Sequence, residues 1–169
     1  NYPYKELPGC AIGFKLAHAI CLENGMEFSM LEQYFDLVAI SIAADIVPIT
    51  GENRILAHFG LKILNKMQRP GLKALMQNVK IDKEITINNI VFLIGPRINA
   101  AGRVDHGSKA VRLLIASDPA EANKIAADVN VNNSERRDLD LGITQEALEM
   151  VSCSEELKSK KSTVLYNES

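Results

Sequence analysis

The longest regular pattern in the chain is SDPAEANKIAADVNVNNSERRDLDLGITQEALEMV, residues 117–151. Asp118 can cap a helix that begins at Pro119, because proline fits the first helical turn and an aspartate oxygen accepts free backbone N–H groups. The periodic apolar residues that follow indicate one helix to about Val151. Roughly 34 residues make about 50 Å, more than the roughly 30 Å span of a small domain. We therefore predict a helix that connects two bodies of a larger protein.

The residues ahead of this helix show helical spacing of apolar side chains in several places. The predicted helices run from Pro8-Gly9 to Asn24-Gly25 and over 36–47, 53–67, a short piece after Pro70, 86–94 with Thr86 as the cap, and 108–116. Gly95-Pro96 is expected to end regular structure and open a loop. The pattern predicts an all-α or α-rich fold with short strands at most, one of them at 162–166.

Two of these helices have an apolar face that we expect to pack inside the protein. In the first helix the expected packed residues are Ala11, Ile12, Leu16, Ala19 and Ile20. In the helix over 53–67 they are Ile55, Leu56, Phe59, Ile63 and Leu64.

Composition excludes several classes of protein. At 169 residues and 47% hydrophobic, the chain can bury a core. Its formal net charge of -2 gives no global basic field, so a nucleic-acid contact must come from a local cluster of cations.

The three cysteines form no CxxC pair, which disfavours a disulfide framework or a four-cysteine zinc site and favours the cytoplasm. No apolar run is long enough for a membrane span. The ends suggest a piece cut from a longer protein.

Asp45 lies in the apolar run Ala43-Ala44-Asp45-Ile46-Val47. A carboxylate buried there needs a cation, a metal ion or several hydrogen bonds. The alternative is a solvated carboxylate at the helix end, or one paired with Arg54. The three histidines, His18, His58 and His106, are far apart in sequence, and structural roles are expected for them.

The segment GPRINAAGR, residues 95–103, suits phosphate binding. Glycines let backbone N–H groups approach an anion, and the guanidinium group matches phosphate oxygens. The local charge is +3, from four cationic side chains and one carboxylate: Arg97, Arg103, Lys109, Arg112 and Asp105. A solvated basic face is the alternative. Possible secondary contacts come from the long helix: Asn132, Asn133, Arg136 and Arg137.

The order of several segments resembles the RecJ branch of the DHH phosphoesterase family. The matching segments are YPYKELPGCAIGFKL (2–16), DLVAISIAADIVPI (36–49), NRILAHFGLKIL (53–64), IVFLIGPRINAAGR (90–103) and NVNNSERR (130–137). The resemblance covers nearly the whole chain. It implies the C-terminal part of an α/β DHH domain over 1–117, a connector helix over 118–152, and the first strand of a DHH-associated domain within 153–169.

The resemblance also implies a function and roles for residues. RecJ proteins hydrolyse single-stranded DNA from the 5′ end with two Mn or Mg ions, in DNA repair and recombination, where other repair proteins are possible partners. Asp45 matches the aspartate of the fourth metal-binding motif, and the first three motifs are not in this chain. Asn99 and Arg103 match residues that hold the scissile phosphate, with Arg97 a weaker match. Asn133 and Arg137 are assigned as further substrate-binding residues.

Because most metal ligands are missing, the chain alone is expected to be inactive and to bind metal weakly. Two alternatives stay open. One is a DHH phosphoesterase acting on short oligonucleotides or cyclic dinucleotides, which the long helix disfavours. The other is a non-catalytic helical module that binds nucleic acid or a partner protein.

Overall fold

The computed structural model describes residues 2–66, 69–81, 83–104 and 107–166, without the side chains of 102–104. Regular structure in these ranges is helical, with no strand. The helices are α1 (Gly9–Glu23), α2 (Ser29–Glu32), α3 (Phe35–Ala44), α4 (Gly51–Lys66), α5 (Pro70–Asn78), α6 (Ile87–Asn89), a π-helical turn (Ile90–Ile94), α7 (Gly95–Val104), α8 (Ser108–Ile115), α9 (Pro119–Cys153) and α10 (Glu155–Ser159).

These elements confirm most of the predicted helices, including both predicted caps. The Thr86 hydroxyl accepts from the backbone N–H of Asn89, whose side chain in turn accepts from the N–H of Thr86, forming a capping box. Asp118 accepts from the N–H groups of Ala120 and Glu121, and Pro119 is the first residue of α9. The mostly helical prediction is therefore confirmed, whereas the strand predicted at 162–166 is absent.

The loop predicted after Gly95-Pro96 is wrong, because the chain continues directly into α7. In a continuous α-helix the ring of Pro96 would collide with the carbonyl of Phe92. The wider π-helical turn over Ile90–Ile94 comes immediately before this proline and changes the backbone spacing there. The segment GPRINAAGR is thus displayed on a helix.

Close helix crossings depend on two glycines without room for a side chain. A Cβ at Gly60 in α4 would lie 2.3 Å from the carbonyl oxygen of Phe35 and 2.5 Å from the Cβ of Ala39 in α3. A Cβ at Gly71 in α5 would lie 1.8 Å from the carbonyl oxygen of Leu113 in α8. The larger core surrounds α5 and includes Leu72, Leu75, Ile90, Ile94, Leu113, Ala126 and Val129.

The predicted packing faces of α1 and α4 are partly wrong. The predicted Ala11 is buried, together with Phe14 and Cys21, whereas the other predicted residues of α1 are exposed: Ile12, Leu16, Ala19 and Ile20. In α4, Ile55 and Phe59 are exposed, while the predicted Leu56 and Leu64 are buried together with Ala57 and Gly60. The close crossing at Gly60 turns the small residues of α4 towards α3, which rotates part of the apolar stripe outwards.

Helix α9 has 35 residues, or about 52 Å at 1.5 Å per residue. Its buried residues end at Asn133, and Leu139, Ile143 and Leu148 are exposed. The first half of α9 packs on α5 and α7, and the second half extends from that core. No described helix is long and apolar enough to cross a membrane.

Candidate phosphate-binding groove at the end of helix α3

Asp45 is the residue that ends α3, and it is exposed. The Ser41 hydroxyl donates to its Oδ2 at 3.0 Å, the sole side-chain hydrogen bond of Asp45 among the described residues. Of the two environments considered for Asp45, the solvated helix end is the one observed, because α3 stops at Ala44 and leaves Asp45 at its open end. No ion pair with Arg54 occurs in the described part of the chain. The carboxylate is solvated and accessible.

The turn after Asp45 has an unusual backbone. Ile46 has φ +54, in the left-handed region, which is uncommon for a β-branched residue and costs on the order of 1–3 kcal/mol. The buried side chain of Asn53 holds this turn, since its Nδ2 donates to the carbonyl oxygens of Pro48 at 3.0 Å and Glu6 at 2.7 Å. Helix α4 thereby fixes the direction in which the chain leaves Asp45.

A groove with a volume of about 240 Å³ adjoins this turn. Its lining residues come from the end of α3, the π-helical turn, α7 and α9: Ala44, Ile46, Val91, Gly95, Pro96, Asn99, Ala100 and Arg136. Gly95 allows the close approach of α7 to α3, because a Cβ there would lie 3.4 Å from the Cβ of Ala44 and 3.1 Å from the carbonyl oxygen of Ile90. The groove places the exposed amide of Asn99 and the guanidinium group of Arg136 in one lining with Ala44 and Ile46. Ala44 and Ile46 are the chain neighbours of Asp45.

The predicted site residues separate into different environments. Asn99 is exposed and lines the groove. Arg97 is half-buried, and its Nε donates to Oδ1 of Asn130 at 2.9 Å while its Nη1 donates to the carbonyl of Leu93 at 2.8 Å. Burial lowers the pKa of Arg97. Two of its donor nitrogens thus join α7 to α9 and the π-helical turn rather than facing the groove.

The two arginines of the long helix predicted as secondary contacts, Arg136 and Arg137, lie in different environments. Arg136 lines the groove and also pairs with Asp140 across one helical turn, Nη1 to Oδ2, at 2.8 Å. Arg137 is exposed and outside the groove lining. Asn133 is buried, and its Oδ1 has no hydrogen-bond partner among the described residues. The spacing of Val129, Asn133 and Arg136 along one face of α9 was the sequence signal favouring Arg136.

Arg103, expected to act in catalysis, lies in α7, but its side chain is outside the described part of the structure, as is His106. Near the start of α1, desolvation and then the carboxylates of Asp45 and Asp36 raise the pKa of the Cys10 thiol. A raised pKa keeps that thiol protonated, which disfavours a nucleophilic role.

The described residues do not by themselves form a metal centre. No group of three or more histidine, cysteine, aspartate or glutamate side chains is close enough to hold an ion within the described ranges. Hard divalent ions take several oxygen ligands, and Asp45 supplies one accessible carboxylate. A tight ion site would need ligands beyond these residues.

Both sequence and structure comparisons point to one family. The chain is 40% identical over 152 residues to the single-stranded-DNA-specific exonuclease RecJ of Bacillus subtilis, which covers 89% of this chain and 19% of that protein. It is 34% identical over 174 residues to RecJ of Dickeya dadantii, covering 96% of this chain and 30% of the relative. The chain belongs to the RecJ family.

Solved RecJ structures share this fold. A crystal structure of exonuclease RecJ bound to manganese matches with a TM-score of 0.78 and 32% identity, covering 88% of this chain and 38% of that one. RecJ from Thermus thermophilus in complex with Mg²⁺ matches with a TM-score of 0.77 and 29% identity, covering 86% and 23%. No protein-family model matches the chain. The chain therefore spans less than two fifths of each of these relatives.

One buried carboxylate of this RecJ-type chain was missed by sequence reasoning. Asp36, at the start of α3, is 1% exposed, and its Oδ2 accepts from Nε of Arg69 at 2.6 Å. Its Oδ1 accepts from the N–H of Leu37 at 2.7 Å. The signal was available, since Asp36 begins the same apolar run that contains Asp45. Asp36 is fully engaged inside the protein, whereas Asp45 is accessible.

Proposed function

We propose that this chain is part of a RecJ-type enzyme that hydrolyses single-stranded DNA from its 5′ end during DNA repair and recombination in the cytoplasm. The relatives named single-stranded-DNA-specific exonuclease support the substrate class. The observation that carries the proposal for this chain is the groove at the end of α3. Asn99 and Arg136 line this groove together with Ala44 and Ile46, the chain neighbours of the accessible Asp45.

The groove residues have the chemistry needed to hold a DNA phosphate. The Asn99 amide can donate to a phosphate oxygen, and Arg136, whose Nη1 pairs with Asp140, keeps its Nε and Nη2 donors for two phosphate oxygens. Arg103 would add a second guanidinium group from α7. Arg97, with two donors engaged by α9 and the π-helical turn, would act on substrate by positioning α7. Asn133 and Arg137 remain proposed secondary contacts.

Asp45 would serve as one ligand of a Mn or Mg ion in the complete enzyme. Its exposure supports this role, as do the RecJ structures that contain Mg²⁺ or manganese. Bound divalent ions would supply polarisation of the phosphate and an activated water. Because no cluster of three or more histidine, cysteine, aspartate or glutamate side chains occurs among the described residues, we expect the 169-residue chain alone to be inactive.

The domain assignment is part of the same proposal. Residues 1–117 would be the C-terminal part of a DHH catalytic domain, 118–152 a connector helix, and 153–169 the start of a DHH-associated domain. The length of α9 and the exposure of Leu139, Ile143 and Leu148 support a connector, since a helix with an unpacked second half reaches away from its core. Other repair proteins would be partners of the complete enzyme.

The test uses the complete protein that contains this chain and measures release of nucleotides from 5′-phosphorylated single-stranded DNA with Mn. Asp45→Asn and Arg136→Gln should each lower kcat/KM by at least about 100-fold, equivalent to about 2.7 kcal/mol. Asp138→Asn and Arg54→Gln, which change exposed residues outside the groove, should have little effect.

Circular dichroism of each variant must show an unchanged fold. Full activity of both groove variants would contradict the site assignment. Cleavage of short oligonucleotides or cyclic dinucleotides in preference to long strands would favour the related DHH phosphoesterases. DNA binding without hydrolysis by the complete protein would favour a non-catalytic module.

A further inference from the structure

A second groove, at the opposite end of α3 from Asp45, combines aromatic rings with lysines. It has a volume of about 430 Å³ between α2, the start of α3 and the C-terminal half of α4. Its lining residues are Phe28, Glu32, Phe35, Phe59, Lys62, Ile63 and Lys66. Four of these residues recur on one face of α4 at spacings of three and four, so the aromatic and cationic groups share one surface.

The three phenylalanine rings form a continuous series. The ring centroids of Phe28 and Phe35 are 6.0 Å apart, and those of Phe35 and Phe59 are 6.2 Å apart. Phe35 is buried at the bottom, while Phe28 is 38% and Phe59 is 47% exposed. The outer two rings therefore offer aromatic surface to a ligand.

The lysines extend this aromatic surface with positive charge. The Nζ of Lys62 lies 5.7 Å from the centroid of the Phe59 ring, close enough for a cation–π contact. Lys66 follows one turn later, and Glu32 is the single carboxylate in the lining. The lining has a net positive charge in a chain whose formal net charge is -2.

We propose that this groove is an additional contact for single-stranded nucleic acid, in which a base stacks on Phe59 and the lysines contact phosphates. The choice of ligand class rests on the proposed function. Sequence-tolerant binding of single strands uses aromatic rings that stack with bases beside cations that follow the backbone. An extended peptide is a poorer fit, because helical walls present no free strand edge for backbone pairing.

The position of the groove suits a strand that also reaches Asp45. Phe35 begins α3 and Asp45 ends it, so the ten-residue helix separates the two grooves by about 15 Å. At the rise of about 3.4 Å per nucleotide of a strand stacked as in a duplex, this distance corresponds to about four nucleotides, and a more extended strand would span it with fewer. The aromatic groove would hold bases at that distance from the cleaved phosphate.

The test exploits the absence of tryptophan from the chain. Phe59→Trp adds a fluorescent reporter to the complete protein that contains this chain, and a stacked base should quench the added emission as an oligo-dT strand is titrated in without added metal. Free phosphate should not quench it. Phe59→Ala and Phe59→Leu should each weaken oligo-dT binding by about 10-fold, measured by anisotropy, because stacking of one base is lost. Phe92→Ala, an exposed phenylalanine outside this groove, is the matched control and should not weaken binding.

The lysines are tested through salt dependence. Lys62→Gln and Lys66→Gln should each reduce the slope of log affinity against log salt by about 0.7, the value for one phosphate contact on a single strand. Lys73→Gln, an exposed lysine on α5, should leave the slope unchanged.

No quenching by oligo-dT, or unchanged affinity in Phe59→Ala, would overturn the proposal. Quenching by a peptide rich in glutamate and phenylalanine, but not by oligo-dT, would reassign the groove to an acidic protein segment. Concentration-dependent quenching without DNA would assign it to a second copy of the chain. These readouts require no catalysis. If oligo-dT fails to bind at Phe59 but Asp45→Asn loses nuclease activity, the proposed nuclease function stands without this groove. If oligo-dT binds at Phe59 but Asp45→Asn keeps full nuclease activity, the groove proposal stands and the proposed nuclease site is removed.

Discussion

Replacing Arg69 with methionine should destabilise the protein strongly, because Asp36 would lose its cation. Asp36 is buried at 1% exposure, and Nε of Arg69 donates to it at 2.6 Å. Arg69 also donates from Nη2 to the carbonyl of Gln33 at 3.0 Å and lies 5.5 Å from the ring centroid of Tyr34. Methionine keeps much of the apolar volume and removes the charge and the donors.

The expected loss in the free energy of unfolding depends on which member of the Asp36–Arg69 ion pair remains buried. Removing one member of a buried ion pair costs about 3–5 kcal/mol, since an uncompensated charge is left inside the protein. The Arg69 side chain is 22% exposed, so water can partly replace it. We therefore expect the lower end, about 3 kcal/mol for Arg69→Met.

The measurement is urea unfolding followed by circular dichroism at pH 7, with free energies taken from the midpoint and slope. Asp36→Asn and the double variant complete a double-mutant cycle. The double variant should be more stable than Arg69→Met alone, because no buried charge is left unpaired. A loss below about 1 kcal/mol for Arg69→Met, or an additive cycle, would refute the view that this pair is coupled and buried.

Three further predictions concern a close helix crossing, a helix cap and an ion pair. Gly71→Ala should lower the free energy of unfolding by more than about 2 kcal/mol, because its Cβ would collide with the Leu113 carbonyl. Gly142→Ala, in open space on α9, should instead raise it by about 0.5–1 kcal/mol. Urea midpoints distinguish the two variants, and equal effects would contradict the close crossing at Gly71. Asp118→Ala should lower the free energy of unfolding by about 1 kcal/mol through loss of the α9 cap, and an unchanged urea midpoint would refute this role. Lys15 and Glu52 form an ion pair with 2.5 Å between Nζ and Oε2, and the hydrogen bond from Lys15 lowers the pKa of Glu52 from its ordinary 4.5. At Lys15, desolvation is outweighed by hydrogen bonds to Glu52 and Tyr2, so the pKa of Lys15 is raised above 10.5. Its stabilisation should be present between about pH 4.5 and 10.5 and be lost as pH falls below or rises above that window. With side chains 29% and 30% exposed, Glu52→Gln should remove at most about 1 kcal/mol at pH 7 and flatten the acid limb of urea midpoint against pH.

The placement of the predicted site residues depends on how their segment folds. Asn99, given a phosphate role by the resemblance, lines the groove, and that role stays a prediction. Arg97 came from the same segment, yet its donors face Asn130 and Leu93 because α7 is a helix that packs on α9. A residue list cannot show which side of a helix turns inwards when the segment is expected to be a loop.

The long helix illustrates the same limit. Its capping by Asp118 and its length followed from residues close in the chain, whereas the choice between Arg136 and Arg137 depended on helix rotation. Adjacent residues on a helix point about 100° apart, so one position decides whether a side chain enters the groove or solvent. That rotation is fixed by packing of Ala122, Ala126 and Val129 against the core.

By itself, the sequence determined the helical class, the start of α9 and the capping of α6, because these depend on hydrogen bonds and spacing within a few residues. Packing between distant parts of the chain was needed to show that Asp36 is buried with a cation while Asp45 is exposed, and that Phe59 lies in a surface groove. The two aspartates occupy the same apolar run. Their environments differ because Arg69, distant in sequence, folds onto one end of α3, and the chain turns away at Ile46 from the other.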